Sequence, residues 1–256
     1  MANVTATSQS TLQSLANPTR FVTIADRVLP WLTGLTLLLF AVGIPLAFFM
    51  APADYQQGQT VRIMFVHVPA AWIGMFAYAV MASAALGSLV WKHPLGDVAA
   101  RAAAPIGAAF TLICLVTGSL WGRPMWGAWW VWDARLTSML VLFLMYLGLI
   151  AIWHTIEDPI RAGRIGAILI LVGVINIPII KFSVDWWYTL HQGASVFRFD
   201  GPTIHVSMLI PLLVMAVAFM GLFGVLHLMA MKNEILRRRI RAIGMRAAYE
   251  GRRSEG

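Results

Sequence analysis

The chain has 256 residues, of which 59% are hydrophobic and only 12% charged, and its formal net charge is +8. Soluble domains carry about a quarter charged residues, so this composition excludes an ordinary water-soluble globule and points to the bilayer.

In chain order, residues 1–17 lack apolar periodicity and read as disordered. No basic n-region followed by an apolar h-region precedes residue 28, so no cleavable signal peptide is expected. After Pro18, the apolar Phe21, Ile24 and Val28 recur at helical spacing, which predicts a short helix lying on the membrane surface. Six stretches are then apolar and long enough to span, at about 28–50, 64–90, 104–120, 136–153, 165–182 and 204–231. Each should be helical, since backbone polar groups in hydrocarbon must be satisfied within the segment. The reading is an all-α polytopic membrane protein. Residues 1–27 form an N-terminal segment, 28–231 a six-helix membrane domain, and 232–256 a basic tail. Pro45, Pro105, Pro178 and Pro211 fall where helices can bend, Ala70, Gly74, Gly221 and Gly224 where they can approach closely, and Asn176 suits a packing hydrogen bond.

Orientation follows from lysine and arginine. Arg20, Arg27, Lys92, Arg101, Arg161, Arg164 and the tail from Lys232 to Arg253 gather on one side, against Arg62, Arg123, Arg135, Lys181 and Arg198 on the other. The positive-inside rule puts both termini in the cytoplasm and the loops at about 51–62, 121–138 and 181–203 outside. The tail suits membrane lipid with anionic head groups. Nucleic acid is not expected, because no recognition module accompanies the charges.

The middle outer loop carries the densest signal. Residues 121–133 read WGRPMWGAWWVWD, five tryptophans and an aspartate. Aromatic belts scatter over both interfaces, whereas Trp121, Trp126, Trp129, Trp130 and Trp132 crowd one loop, with Trp186 and Trp187 in the next. Gly122, Pro124 and Gly127 are expected to break the helix and let the backbone present indoles to one pocket. Of six histidines, His67 and His191 lie at this level, His205 is a rival, and His93, His154 and His227 fall on the far side as solvated or interfacial groups. Two neutral imidazoles and a bed of indoles suit haem, with His67 and His191 as axial ligands and Arg123 and Arg135 facing the propionates. Arg62, Lys181 and Arg198 are further propionate candidates, and Asp133 is expected to fix an indole N–H or an arginine. The single cysteine, Cys114, excludes thioether attachment through Cys-x-x-Cys-His.

Trp126 to Asp133 fits W-G-x-x-W-x-W-D and continues as Ala134-Arg135-Leu136-Thr137-Ser138; HVPAAW at His67, APIGAAFT at Ala104 and LHQG at Leu190 accompany it. Over about residues 18–231 the chain resembles the CcmC family of WWD haem-handling proteins in cytochrome c-type biogenesis. The resemblance implies haem b held by the WWD loop, His67 and His191 at the periplasmic face of a bacterial inner membrane. It implies delivery of that haem to the chaperone CcmE, with CcmD and the ATP-binding-cassette subunits CcmA and CcmB as further partners. Haem transport and chaperone loading, by positioning instead of conventional catalysis, would be the activity. The alternative is a haem translocator or membrane subunit of an ABC-type exporter, which would need a polar route through the spans. No P-loop is present, so ATP hydrolysis would belong to another chain. An electron-transfer cytochrome b would need ligand pairs at both depths, and an oligosaccharyl transferase a large outer domain.

Overall fold

The computed structural model describes residues 17–193, 195–198 and 200–254, so the expectation for residues 1–16 lies outside the described residues. Asn17 is not part of a disordered segment: its side chain accepts from Thr19 N at 2.8 Å and Arg20 N at 3.4 Å, capping a helix that Pro18 opens with its preset φ. Helix α1 (Pro18–Pro45) then runs on and ends in a π turn, Leu46–Met50. The expected separate surface helix is therefore the first turns of the span itself. Phe21 and Val22 pack on Leu95, Val98, Met231 and Ile235, and Lys232 pairs with Asp26, which holds these turns in line.

A 3₁₀ turn, Gln59–Ile63, leads into α2 (Met64–Trp91). It is followed by α3 (Gly96–Trp126), α4 (Ala134–Thr155), α5 (Pro159–Gly173), α6 (Asn176–Trp186) and α7 (Val206–Ser254). There is no strand among the described residues. Among the described residues six helical units are long and apolar enough to cross a membrane, the fifth being α5 and α6 joined at Val174 and Ile175. At that joint Asn176 donates from Nδ2 to the Ser138 carbonyl at 2.9 Å, the packing bond expected of it. The basic stretch after Met231 continues α7 without interruption.

Helix α3 outruns its expected end at about residue 120 by more than a turn. Gly122 and Pro124 do not break it, because proline's φ is itself helical and this late in the helix Pro124 forfeits one backbone bond. Termination comes at Gly127, whose φ of 75° is the left-handed cap favoured by glycine, with its N–H on Arg123 O at 3.1 Å.

Helices α2, α3, α4, α5 and α7 enclose the core, in which Phe65, Ile73, Tyr78, Met81, Leu142, Tyr146, Ile170, Leu212 and Met215 are buried. Helix α1 lies along α7, with Phe40 and Phe219 ring centroids 5.6 Å apart. Two buried tyrosines tie the layers: Tyr146 Oη donates to Gly74 O at 2.7 Å and Tyr78 Oη to Ile170 O at 3.3 Å. At the end holding the basic tail, Asp97 takes Arg101 Nε at 2.9 Å and also pairs with Arg238, while Arg101 lies over Trp153. The exposed Trp31, Leu37, Leu38, Leu144, Val172 and Val217 suit contact with lipid. Tyr146→Phe should lower stability in detergent by about 0.6–1.7 kcal/mol, the range of interhelical hydrogen bonds in membrane bundles, as read from a melting curve.

Candidate functional site

The three loops expected to lie together do meet at one end of the bundle, and α3 is the post around which they are arranged. Its last turns carry Thr117, Gly118, Trp121 and Trp126, and its extension past the expected stop lifts both tryptophans to the level of the loops. After the Gly127 cap the chain crosses to α4 without helix or strand. Asp133 ends the crossing: its φ of −87° and ψ of 169° are those of an N-cap, and Oδ1 accepts Leu136 N at 2.8 Å.

The other oxygen of Asp133 takes a different load. His191 Nδ1 lies 3.1 Å from Oδ2, with the carboxylate side chain 5% exposed and the imidazole 19%. A carboxylate accepts, so Nδ1 bears the hydrogen and Nε2 keeps its lone pair. The expectation that Asp133 would fix an indole or an arginine is corrected: it caps a helix and orients a histidine. The loop fold adds a bond from His191 N to Thr189 Oγ1 at 2.8 Å, and the Trp126 ring meets the imidazole edge-on at 4.9 Å.

His67, in the first turn of α2, is held the same way by different groups. Its Nδ1 lies 3.1 Å from both Cys114 O and Thr117 Oγ1, and since a carbonyl only accepts, Nε2 is again the free nitrogen. Trp121 stands edge-on to it, centroids 5.7 Å apart at 77°. The approach of α2 to α3 requires glycine at position 118, where a Cβ would sit 2.9 Å from His67 Cε1. Each imidazole thus has one nitrogen engaged by protein, one nitrogen without a hydrogen-bond partner among the described residues, and one indole at its edge.

The remaining site candidates are distributed unevenly. Trp130 and Trp132 stack edge-on at 5.5 Å; Trp132 is 75% exposed, while the Trp130 Nε1 is buried with no acceptor. Trp129 is exposed and its carbonyl accepts from Ser119 Oγ at 2.7 Å. Trp186 and Trp187 form their own cluster with Phe182 at the end of α6, with no ring contact to the other tryptophans among the described residues. Arg135 Nε reaches Ser183 Oγ and Nη2 reaches Lys181 O, both at 3.3 Å, tying α4 to α6 beside the histidines. Arg123 is exposed and donates to Gly127 O, so part of its donor set closes its own helix. Arg62 donates to Ala51 O at 3.2 Å and leaves its buried Nε without a partner. Arg198 pairs with Asp200 in the loop.

The profile of the heme exporter protein C family, CcmC, matches residues 11–246. The chain belongs to that family. Heme exporter protein C of Bradyrhizobium diazoefficiens is 64% identical over 238 residues, covering 93% of this chain and 90% of that protein. The Escherichia coli K12 protein of the same name is 50% identical over 226 residues, covering 88% and 91%. A cytochrome c biosynthesis ccmC-like mitochondrial protein of Marchantia polymorpha is 46% identical over 222 residues, covering 87% and 94%. With six helices among the described residues long and apolar enough to cross a membrane, this member of the heme exporter protein C family is a multi-pass membrane protein.

The other histidines make contacts of their own. His205 Nδ1 lies 2.8 Å from Ser207 Oγ and 3.3 Å from Ser207 N, and its carbonyl accepts Met208 N and Leu209 N at the start of α7. His93 Nδ1 accepts from Leu95 N at 3.3 Å, and His154 donates to Ile150 O at 2.7 Å. His227 departs from its solvated reading: it is buried and donates to Ala99 O at 3.1 Å. Sequence reasoning missed the groups that orient His67, namely Cys114 O, Thr117 and Gly118. Their one visible signal was that Thr117, Gly118 and Trp121 share a face of α3 at helical spacing.

Burial holds the His191 imidazole below its ordinary pKa of 6.5, outweighing the Asp133 carboxylate that acts the other way. The unfolded chain therefore takes up this proton first as pH falls, so His191 subtracts stability below about pH 6.5 and not above it. Melting temperatures of the ligand-free protein should drop between about pH 7 and pH 5, and His191→Gln should flatten that part of the profile.

Proposed function

We propose that this chain holds haem b between His67 and His191 and passes it to the haem chaperone CcmE at the periplasmic face of a bacterial inner membrane. The observation that carries the reading is the matched state of the two imidazoles: Nδ1–H is engaged by Cys114 O in one and by Asp133 in the other, leaving Nε2 basic. Histidines that ligate metals are commonly oriented in this manner through the second ring nitrogen, by a carbonyl or a carboxylate. The donor set fits haem rather than a bare ion, because no cluster of three or more His, Cys, Asp or Glu side chains exists among the described residues while indoles surround both imidazoles.

The rest of the site supports the same cargo. Trp121, Trp126, Trp129, Trp130 and Trp132 offer apolar surface for the ring, with Trp186 and Trp187 as a second aromatic wall. Arg135, and Arg123 with the donors its cap leaves over, are the proposed partners of the propionates. Arg62 Nε and Trp130 Nε1 are buried at this end without an acceptor and could serve a ligand, although Trp153 Nε1 at the opposite end is in the same state. Arg20, Arg27, Lys92, Arg101, Arg161, Arg164 and the α7 extension lie at the opposite end, which supports cytoplasmic termini and an outward-facing site.

Handover explains why the contacts come from several loops. Haem held by α2, the 127–133 crossing and the 187–205 loop can exchange one contact at a time for those of a partner. Names such as heme exporter in relatives, and the cytochrome c biosynthesis label of the Marchantia polymorpha protein, support a place in the Ccm system, with CcmD, CcmA and CcmB as neighbours. Translocation by this chain is disfavoured: buried hydroxyls in the spans bond to their own helices, Thr111 to Gly107 O at 2.7 Å and Ser138 to Ala134 O at 2.6 Å, and line no polar route.

Asp133→Asn separates the two duties of that side chain. Asparagine still caps a helix, but the amide nitrogen then opposes Nδ1–H, so haem affinity should fall by about 10- to 100-fold with little change in melting temperature. Haem titration followed by absorbance checks this; unchanged affinity would remove Asp133 from the site. Replacing Trp130 and Trp132 together with leucine should reduce haem transferred to CcmE in proteoliposomes while insertion persists.

A further inference from the structure

Of the residues singled out for the site, the loop between α1 and α2 carries only Arg62, yet the loop is tied closely by its own hydrogen bonds. Asp54 and Gly58 exchange backbone bonds, Asp54 N to Gly58 O at 3.1 Å and Gly58 N to Asp54 O at 2.8 Å. The Asp54 carboxylate accepts Gln56 N at 2.9 Å and Gln57 N at 2.8 Å. Thr60 then takes hold of the Gln57 carbonyl twice, through N at 3.2 Å and Oγ1 at 2.7 Å. Both backbone polar groups of Gln57 are thereby fixed, so its side chain leaves from a rigid root.

That side chain has one destination. Gln57 Oε1 accepts the indole Nε1–H of Trp121 at 3.0 Å, across 64 residues of sequence. An indole N–H can only donate, so the amide oxygen must face it, which settles the orientation of the amide. The same indole stands edge-on to His67 at 5.7 Å. A chain of contacts therefore runs from Asp54 through Gln57 and Trp121 to the imidazole, approaching His67 from the indole side while Cys114 O and Thr117 hold Nδ1.

We propose that Gln57 is a positioning residue for His67: by holding the Trp121 indole it fixes the wall against which the imidazole presents Nε2. The proposal rests on the haem reading of His67 given above. Without the acceptor, the indole is free to turn, and the imidazole gains freedom in the direction the iron would approach. Preorganisation of this kind acts on the strength and geometry of the iron–imidazole bond and leaves the haem contacts made by the other loops unaltered.

The test compares the purified full-length protein loaded with haem against Gln57→Leu, Gln57→Glu, Trp121→Phe and the Gln57→Leu/Trp121→Phe double variant, with His67→Ala as reference. Readouts are the absorption spectrum, the haem reduction potential and the rate of haem loss to apomyoglobin. Gln57→Leu should speed haem loss by roughly three- to tenfold, the yield of one hydrogen bond, and shift the potential. Gln57→Glu keeps an acceptor and should restore both. Trp121→Phe keeps a ring but has no N–H, so it should act like Gln57→Leu, and the double variant should add nothing to either. Should Gln57→Leu fail to accumulate, Trp121→Phe against Gln57→Glu carries the comparison. Wild-type spectra, potential and haem loss in Gln57→Leu or in Trp121→Phe, equal losses in Gln57→Leu and Gln57→Glu, or additivity in the double variant would each overturn the proposal. If His67→Ala itself left the spectrum unchanged, the underlying ligand reading would fall instead.

Discussion

One carboxylate joins the start of a membrane helix to a long loop. Asp133 gives Oδ1 to the Leu136 N–H and Oδ2 to His191, so the position of the imidazole is referred directly to the axis of α4. Among the described residues of the 187–205 loop there is no helix or strand to hold His191. A buried, charge-assisted contact to a helix cap supplies what secondary structure does not, and it selects the Nδ1–H tautomer at the same time. Loss of that contact would free both the ring orientation and the proton.

His67 needs no such device because it is built into a helix. It sits where α2 crosses α3, and Gly118 opens the space through which its Nδ1–H reaches the Cys114 carbonyl, which also accepts from Thr117 Oγ1 at 3.2 Å. The two proposed ligands are thus fixed to different degrees, one by helix packing and the other through a loop contact. A site meant to release its cargo benefits from that inequality, since the loop-borne ligand can leave first.

The number of spans and their approximate positions were legible because apolar runs in a bilayer can fold only as helices. The gathering of the tryptophans and the pair His67 and His191 at one end was legible too, from their place relative to those runs. Helix continuation was not. Proline and glycine at 122–127 resemble a loop in sequence, yet α3 runs through Gly122 and Pro124 because nothing before Gly127 has to leave helical φ and ψ. The start of α1 was misread for a related reason, since its partner is an α7 that continues past the bilayer. The role of Asp133 was missed because one side chain gives one oxygen to Leu136 in its own turn and the other to His191, 58 residues further on, a relation that spacing alone does not carry.

Both imidazoles, each anchored at Nδ1, are proposed to present Nε2 to one iron. Pulsed electron paramagnetic resonance of the ferric, haem-loaded protein with ¹⁵N-histidine counts the coordinated histidine nitrogens directly. A low-spin centre with two of them is expected, one lost in His67→Ala and the other in His191→Ala. A centre with a single histidine nitrogen that neither substitution removes would contradict it.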